Sequence, residues 1–206
     1  MWAMLWEARE LMPILFLGGS LMSFQFGVFP LALRRADVGV VFVIFGFGEV
    51  LGAWQCGRWV HRLGPQRYRL LTMVATAASL VLVLPIAAEM ASSPAPISLE
   101  QHPARFVLAA LAAFAFGSSD SAIAVLAYTD LGRTFRGAAT SARAGGARQL
   151  LYSLGFLYGF SVGPYVPPLV QLAFLGVLLV VSWAVRVRAG DAETAAVLAK
   201  SGANIA

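Results

Sequence analysis

Long apolar runs alternate with short charged segments along this chain. Six of these runs approach or exceed the roughly 20 apolar residues that a helix needs to cross a bilayer. The pattern predicts an all-α membrane protein with six transmembrane helices inside a bundle at 11–188, a short N-terminus at 1–10 and a flexible tail at 189–206. The six predicted helices cover residues 11–33, 38–57, 70–88, 106–128, 144–166 and 167–185.

The composition agrees with a membrane protein and excludes several other classes. Hydrophobic residues make up 59% of the chain and charged residues 12%, whereas a soluble domain carries about 25% charge. The basic residues behind the net charge of +5 are scattered between apolar blocks, so we expect no nucleic-acid binding. Cys56, His61 and His102 are too few for a disulfide framework or a zinc site. We therefore predict no metal, no cofactor and no enzymatic activity, because paired catalytic groups are also missing from the sequence.

The loop charges predict the orientation. Most Lys and Arg residues fall in the N-terminus, in the connections after the second and fourth runs, and in the tail. Only Arg34, Arg35 and Arg105 fall on the other side. Basic loops stay in the cytoplasm, so both termini are expected there. The Pro- and Ser-containing connection at 89–105 is expected to be an exposed loop on the opposite side.

Two carboxylates, Glu49 and Asp120, lie deep inside the second and fourth runs. An acid at the centre of a membrane helix costs on the order of 3 kcal/mol, so the default interpretation is functional. Several roles stay open: a neutral acid bonded to a hydroxyl such as that of Ser119 or Ser121, or an ionised acid paired with Arg148 or with an arginine of a second bundle. A third role is a change of protonation during transport, and contact with lipid or a partner is a fourth. The polar residues that can line the same space are Gln25, Ser121 and Arg148, the last of which can also be an interface anchor.

Small residues at four-residue spacing predict close helix contacts, since they let backbones approach where the hydrophobic effect gives no help. We interpret them as packing positions. They are Gly48 and Gly52 in the second run, Gly117 in the fourth, and Gly155, Gly159 and Gly163 in the fifth.

The connection after the second run carries the most specific motif. Gly57 is expected to allow close helix approach and Gly64 a tight turn, while the arginines can bind helix C-terminal carbonyls or acidic partners. A chance basic loop is the alternative. The motif resembles the loop signature of the major facilitator superfamily, with His61 where that signature usually has Asp. Its residues are Gly57, Arg58, His61, Arg62, Gly64 and Arg67.

Further segments resemble the uncoordinated-93-like branch of that superfamily. They lie at 24–29, 45–52, 116–121 and 131–135, in the same order as in that branch, and the similarity runs from about residue 10 to 188. The chain is similar to the C-terminal six-helix half of a twelve-helix protein. The resemblance implies one half of a major-facilitator-type bundle, built from two inverted three-helix repeats.

The same resemblance implies a transporter-fold protein that regulates ion channels or the trafficking of receptors. The alternative is half of a secondary transporter that moves a small solute by alternating access, with proton or cation coupling at Glu49 and Asp120. The apolar stretch at 122–126, where the branch usually has polar residues, favours the first function. The expected partners are the lipid bilayer, a second six-helix bundle from the same or another chain, and an ion channel or receptor. Whether the chain is a fragment or a native half stays open.

Overall fold

Most of the part of the chain that the structure describes is helical. The computed structural model describes residues 9–92, 96–135 and 138–203, without the side chains at 61, 65, 133–134, 138–144, 164 and 186–203. No β-strand forms within these ranges. The predicted all-α class is therefore confirmed. The helices are α1 (Met12–Ser23), α2 (Arg35–Ser92), α3 (Pro103–Thr134), α4 (Ala138–Val162) and α5 (Pro168–Ala203).

Irregular turns extend α1 on both sides. A 3-10 turn, Arg9–Leu11, precedes it, and a π-helical segment, Phe24–Val28, follows and leads into the 3-10 turn Phe29–Ala32. Single π-helical turns loosen the regular hydrogen-bond ladder and often occur at functional sites. The result is one long apolar segment with a local irregularity in its second half.

Five described segments are long and apolar enough to cross a bilayer, which is consistent with a membrane protein. The predicted span at 144–166 coincides with α4, but α4 is not among the five. Arg148, Gln149 and several Gly, Ser and Tyr residues make it less apolar. Its crossing of the membrane therefore stays a prediction. The five segments are Arg9–Ala32, Arg35–Val60, Gln66–Ser92, Pro103–Gly132 and Pro168–Val185.

The second and third predicted spans are two arms of α2, separated by a kink instead of a loop. We call Arg35–Val60 the first arm and Gln66–Ser92 the second arm. Gly64 interrupts the helix with φ 73° and ψ 165°. Only glycine adopts a positive φ without a steric penalty, so one residue is enough to reverse the direction of the chain.

The arrangement of the helices follows from this kink. α3 packs against both arms of α2, while α1 packs mainly against α4 and also contacts α5. At the junction of α1 and α3, the fully buried ring of Phe116 receives the edges of Phe24 and Phe29, at centroid distances of 6.2 and 5.9 Å. Edge-to-face aromatic pairs of this kind add to the burial energy. They make this junction the centre of the core.

The connection before α3 is more ordered than predicted. α2 continues to Ser92, and the backbone at Ile97 then forms an isolated bridge with the turn that joins α1 to α2. Arg34 N donates to Ile97 O at 2.9 Å and Ile97 N donates to Ala32 O at 2.8 Å. Ile97 and Ser98 are buried. The expectation of a wholly exposed loop at 89–105 is therefore wrong for this part.

The predicted flexible tail also differs from the structure. α5 continues as helix to Ala203, so most of the segment 189–206 extends the last predicted span, and residues 204–206 lie outside the description. The segment is rich in Ala and contains Glu193, Leu198 and Lys200. These residues have high helix propensity, which the small-residue composition of the tail had obscured.

Candidate functional site

Three charged side chains from three helices come together inside the bundle. Glu49 lies on the first arm of α2, Asp120 on α3 and Arg148 on α4. Asp120 lies within electrostatic range of both Glu49 and Arg148. We call these three residues the charged cluster. The structure thus brings together the two acids and one of the polar residues that the sequence singled out.

Close backbone contact between the first arm and α3 positions the two acids. A Cβ atom on Gly52 would lie 2.7 Å from the carbonyl oxygen of Ser118. Side chains at Gly48 and Gly117 would collide with backbone oxygens of the facing helix, those of Phe114 and Phe45 respectively. Because only glycine fits at these positions, the two helices touch along the stretch that carries Glu49 and Asp120.

Serine hydroxyls on α3 reinforce this contact but do not reach the carboxylates. Ser118 Oγ donates to the carbonyl oxygen of Gly48 at 3.1 Å, and Ser121 Oγ donates to that of Glu49 at 2.8 Å. Ser119 Oγ donates to Phe116 O at 3.0 Å. A bond from Ser119 or Ser121 to an acid was one of the roles left open, and both hydroxyls instead donate to backbone carbonyls. Ser121 contributes to helix packing in place of the polar lining that we predicted.

Both carboxylates of the cluster are half-buried and unpaired. Among the described residues, no donor lies within hydrogen-bonding distance of Glu49 or Asp120, and Arg148 forms no ion pair with either. The three charges therefore act on one another through space. In such an arrangement, a carboxylate can gain or lose a proton or a counter-ion without first breaking a direct bond.

Two tyrosines hold the arginine of the cluster. The guanidinium of Arg148 lies 4.0 Å from the ring centre of Tyr128 and 5.6 Å from that of Tyr152, a cation–π arrangement. Its Nε is buried without a hydrogen-bond partner among the described atoms. Tyr152 OH donates to Met22 Sδ at 2.9 Å and so connects the cluster to α1. The side chain of Arg148 thus packs on aromatic rings. The alternative that the sequence left open was an anchor that reaches the membrane edge.

Sequence reasoning missed both tyrosines. Tyr152 lies one helical turn after Arg148, and this spacing is a signal that the sequence contains. Tyr128 lies on α3, and its proximity follows only from the way α3 and α4 meet. An arginine flanked by an aromatic residue four positions away in an apolar helix is therefore worth considering as a buried cation–π pair.

The glycines of α4 pack against α1. A side chain at Gly155 would collide with the carbonyl oxygen of Phe16, and one at Gly159 with the side chain of Ser23. Gly163 differs, because a Cβ there would meet Val28 at an ordinary 3.4 Å. Gly19 on α1, which the spacing pattern did not include, faces the backbone of Tyr152 just as closely.

Gln25, predicted to line a polar space, is buried inside the bundle. It is 2% exposed, lies in the π-helical segment, and neither its Oε1 nor its Nε2 has a partner in the described part of the chain. A cavity of about 180 Å³ lies nearby between α1, α4 and α5, but Gln25 does not line it. The walls are mostly apolar, with Ser20 and Gln171 as the polar contributors. The cavity and the charged cluster are separate features.

The predicted loop motif is divided by the kink of α2. Gly64 makes the turn, as its positive φ requires, and Arg58, Arg62 and Arg67 are exposed. Gly57 does not support close helix approach, because a Cβ atom there would meet nothing within 4 Å. The side chain of His61 lies outside the described residues.

A buried ion pair next to the motif was not foreseen. Arg69 Nη2 lies 3.0 Å from Asp130 Oδ1 and 3.2 Å from Oδ2, with side-chain exposures of 14% and 3%. One residue earlier, Tyr68 OH donates to Ala122 O at 3.2 Å. Both bonds connect the second arm of α2 to α3. In the sequence Arg69 is one of several loop arginines, and nothing distinguishes it until the register of the two helices is known.

No metal site forms among the residues that the structure describes, since no three His, Cys, Asp or Glu side chains converge there. Comparison of the chain with protein-family models, with curated proteins and with solved structures finds no match. The family resemblance therefore rests on the sequence motifs alone.

Proposed function

We propose that this chain is a six-helix, major-facilitator-type bundle of the uncoordinated-93-like kind that regulates or traffics an ion channel or receptor. In this proposal it consists of two inverted three-helix repeats, both termini face the cytoplasm, and a second six-helix bundle completes the fold. The helix pairs support a repeat. The second span packs on the fourth, and the first packs on the fifth. In an inverted repeat, the first span corresponds to the fourth and the second to the fifth. The repeat therefore converts one of these two helix pairs into the other.

The charged cluster carries the functional part of the proposal. Glu49 and Asp120 lie within apolar spans, and neither residue is fully buried. Phe47 and Tyr128, close to them in the sequence, are 62% and 58% exposed. Lipid is a poor solvent for an acid, at a cost of about 3 kcal/mol. A neighbouring membrane protein with a cation or hydroxyl would solvate these groups better, which favours a protein partner on this surface.

Site-specific photo-crosslinking tests the proposal. Phe47→p-benzoylphenylalanine places a crosslinker of aromatic shape beside Glu49, and Trp183→p-benzoylphenylalanine, on α5, is the matched control because Trp183 is also exposed. With a co-expressed channel or receptor, we expect an adduct from position 47 and none from 183. The surface level of that partner should change with the wild type and not with the Glu49→Ala/Arg148→Ala variant. Crosslinks to lipid alone, from both positions, would contradict the proposal.

The second candidate is half of a secondary transporter. It is favoured by the electrostatic proximity of Arg148 to Glu49 and Asp120, which lie inside apolar spans, since intramembrane acids often relay protons or bind cations. In proteoliposomes with a proton gradient, Glu49→Gln or Asp120→Asn should abolish solute uptake while expression stays normal. Loss of expression would assign the acids a structural role. Absence of uptake by the wild type, together with a partner adduct, would leave regulation as the function.

A further inference from the structure

A row of exposed cationic and aromatic side chains surrounds the kink of α2. Trp54, Arg58 and Arg62 recur every fourth residue, so they form one stripe along the end of the first arm. Arg67 follows directly after the turn at Gly64. All three arginines are exposed. We call these four residues, together with Trp59, the arginine collar.

No carboxylate in the described part of the chain neutralises the charges of the collar. The sequence has no Asp or Glu between Glu49 and Glu89. Within the described ranges no carboxylate lies within ion-pairing distance of Arg58, Arg62 or Arg67. Other arginines of the chain behave differently: Arg34 pairs with Glu100, Arg69 with Asp130 and Arg105 with Glu89. The collar is thus a cluster of cations whose counter-ions have to come from another molecule.

The surroundings of the arginines are typical of the surface of a bilayer. Trp54 and Trp59 are 56% and 39% exposed, and Leu63 and Leu70 on either side of the kink are exposed as well. Tryptophan concentrates at the boundary between hydrocarbon and headgroups. The guanidinium of Arg58 lies 4.2 Å from the ring centre of Trp54, which restricts its orientation. This combination of tryptophan and arginine is typical of side chains at the depth of lipid phosphates.

From these contacts we infer that the arginine collar is a binding site for the headgroups of anionic phospholipids. Guanidinium groups bind phosphate through paired hydrogen bonds, and basic clusters next to a membrane helix attract anionic lipids. An acidic segment of a partner protein offers similar charge. Lipid is favoured because exposed Trp and Leu side chains flank the arginines and require an apolar neighbour at the same place. The inference is independent of the proposed function and of the orientation of the chain.

Binding of short-chain phosphatidylserine to the purified chain in neutral detergent tests this inference, with phosphatidylcholine as the neutral reference. Each arginine near an anionic lipid contributes about fivefold in affinity. We expect Arg58→Gln/Arg62→Gln/Arg67→Gln to weaken phosphatidylserine binding on the order of 100-fold and to leave phosphatidylcholine unaffected. The matched control, Arg34→Gln/Arg35→Gln/Arg105→Gln, removes the same charge at the other end of the helices and should bind like the wild type.

Further variants keep the test decisive. If the glutamine triple variant elutes as aggregate, Arg62→Gln alone should still weaken binding about fivefold, and a triple Arg→Lys variant should keep most of it. Equal loss in the collar and control variants would overturn the inference, because it would indicate a general charge effect. Competition by inorganic phosphate at the same concentration would indicate a free-phosphate site instead. Tighter binding of a poly-glutamate peptide than of phosphatidylserine would assign the collar to a protein partner.

Discussion

The two closest helix pairs of the bundle are held together in different ways. Between α2 and α3, glycine contacts are combined with bonds from Ser118 and Ser121 to backbone carbonyls and with the Arg69–Asp130 ion pair. Between α1 and α4, the glycine contacts are equally close, but the hydrogen bond of Ser20 Oγ to Gly155 O is long, at 3.4 Å. The bond from Tyr152 OH to Met22 Sδ also joins α1 and α4, but a thioether is a weak acceptor. Both pairs use steric fit, and the strong polar bonds lie between α2 and α3.

This difference teaches where the bundle resists deformation. Polar bonds fix the register of α3 on α2, whereas Ser23 at the end of α1 and Gln25 in the π-helical segment after it keep buried polar atoms without partners in the described residues. Unpaired buried polar groups reduce stability. The charged cluster crosses the boundary, because Glu49 and Asp120 belong to the first pair and Arg148 to the second. Any shift of α1 and α4 as a unit therefore changes the separation between the acids and the arginine.

The largest expected effect comes from breaking the ion pair of the α2–α3 contact. Asp130→Asn leaves the guanidinium of Arg69 buried without its counter-charge, and loss of one partner of a buried pair costs about 3 kcal/mol. Unfolding by a denaturing detergent should report this loss. The double variant Arg69→Met/Asp130→Leu should recover most of the stability, since it removes both charges. Wild-type stability of Asp130→Asn would show that the pair contributes little.

A smaller effect is expected from filling the glycine contacts, and it should be similar in both helix pairs. Gly155→Val on α4 and Gly117→Val on α3 each force the facing backbone away, which costs about 2 kcal/mol. The same unfolding experiment measures both. Gly176→Val is the matched control, because a side chain there would meet nothing within 4 Å. If Gly176→Val is as destabilising as the other two, a general effect of valine explains the result.

The smallest effects should differ in sign between the two pairs. Gln25→Leu removes an unpaired amide from α1 and should stabilise the protein by about 1 kcal/mol. Ser121→Ala removes a hydrogen bond between α3 and the first arm and should destabilise it by about 0.6 kcal/mol, the average for membrane proteins. Thermal unfolding in detergent resolves the sign. Destabilisation by Gln25→Leu would mean that the amide has a partner in the folded protein.

The helices themselves could be predicted from the sequence, because apolar runs of this length have few alternatives to a helix. A backbone in lipid must satisfy its hydrogen bonds internally, so each run had to become a helix. The kink could be predicted in part, because Gly64 indicated a turn. The flanking arginines are good helix formers, and the expected loop is helical on both sides of Gly64. The packing glycines were visible by their spacing, although the facing helix was not.

The pairing of polar side chains could not be predicted from the sequence, since it depends on how the helices pack and in which register. Arg69 and Asp130 are far apart in the chain, and nothing local links them. The same holds for Tyr128 and Arg148. For Ser121 the sequence left a bond to a buried acid as one of several roles, but a hydroxyl has several acceptors within reach, and in the structure it donates to the backbone carbonyl of Glu49.

The bridge between Leu33 and Ile97 joins segments that leave the ribosome at different times. Leu33 and Ile97 are 64 residues apart in the chain, and at 5–20 residues per second the synthesis of this stretch takes on the order of ten seconds. During this interval the carbonyl of Ala32 and the amide of Arg34 lack the hydrogen bonds that they form with Ile97 in the folded chain. This end of the molecule can therefore be completed only after the segment around Ile97 has been synthesised.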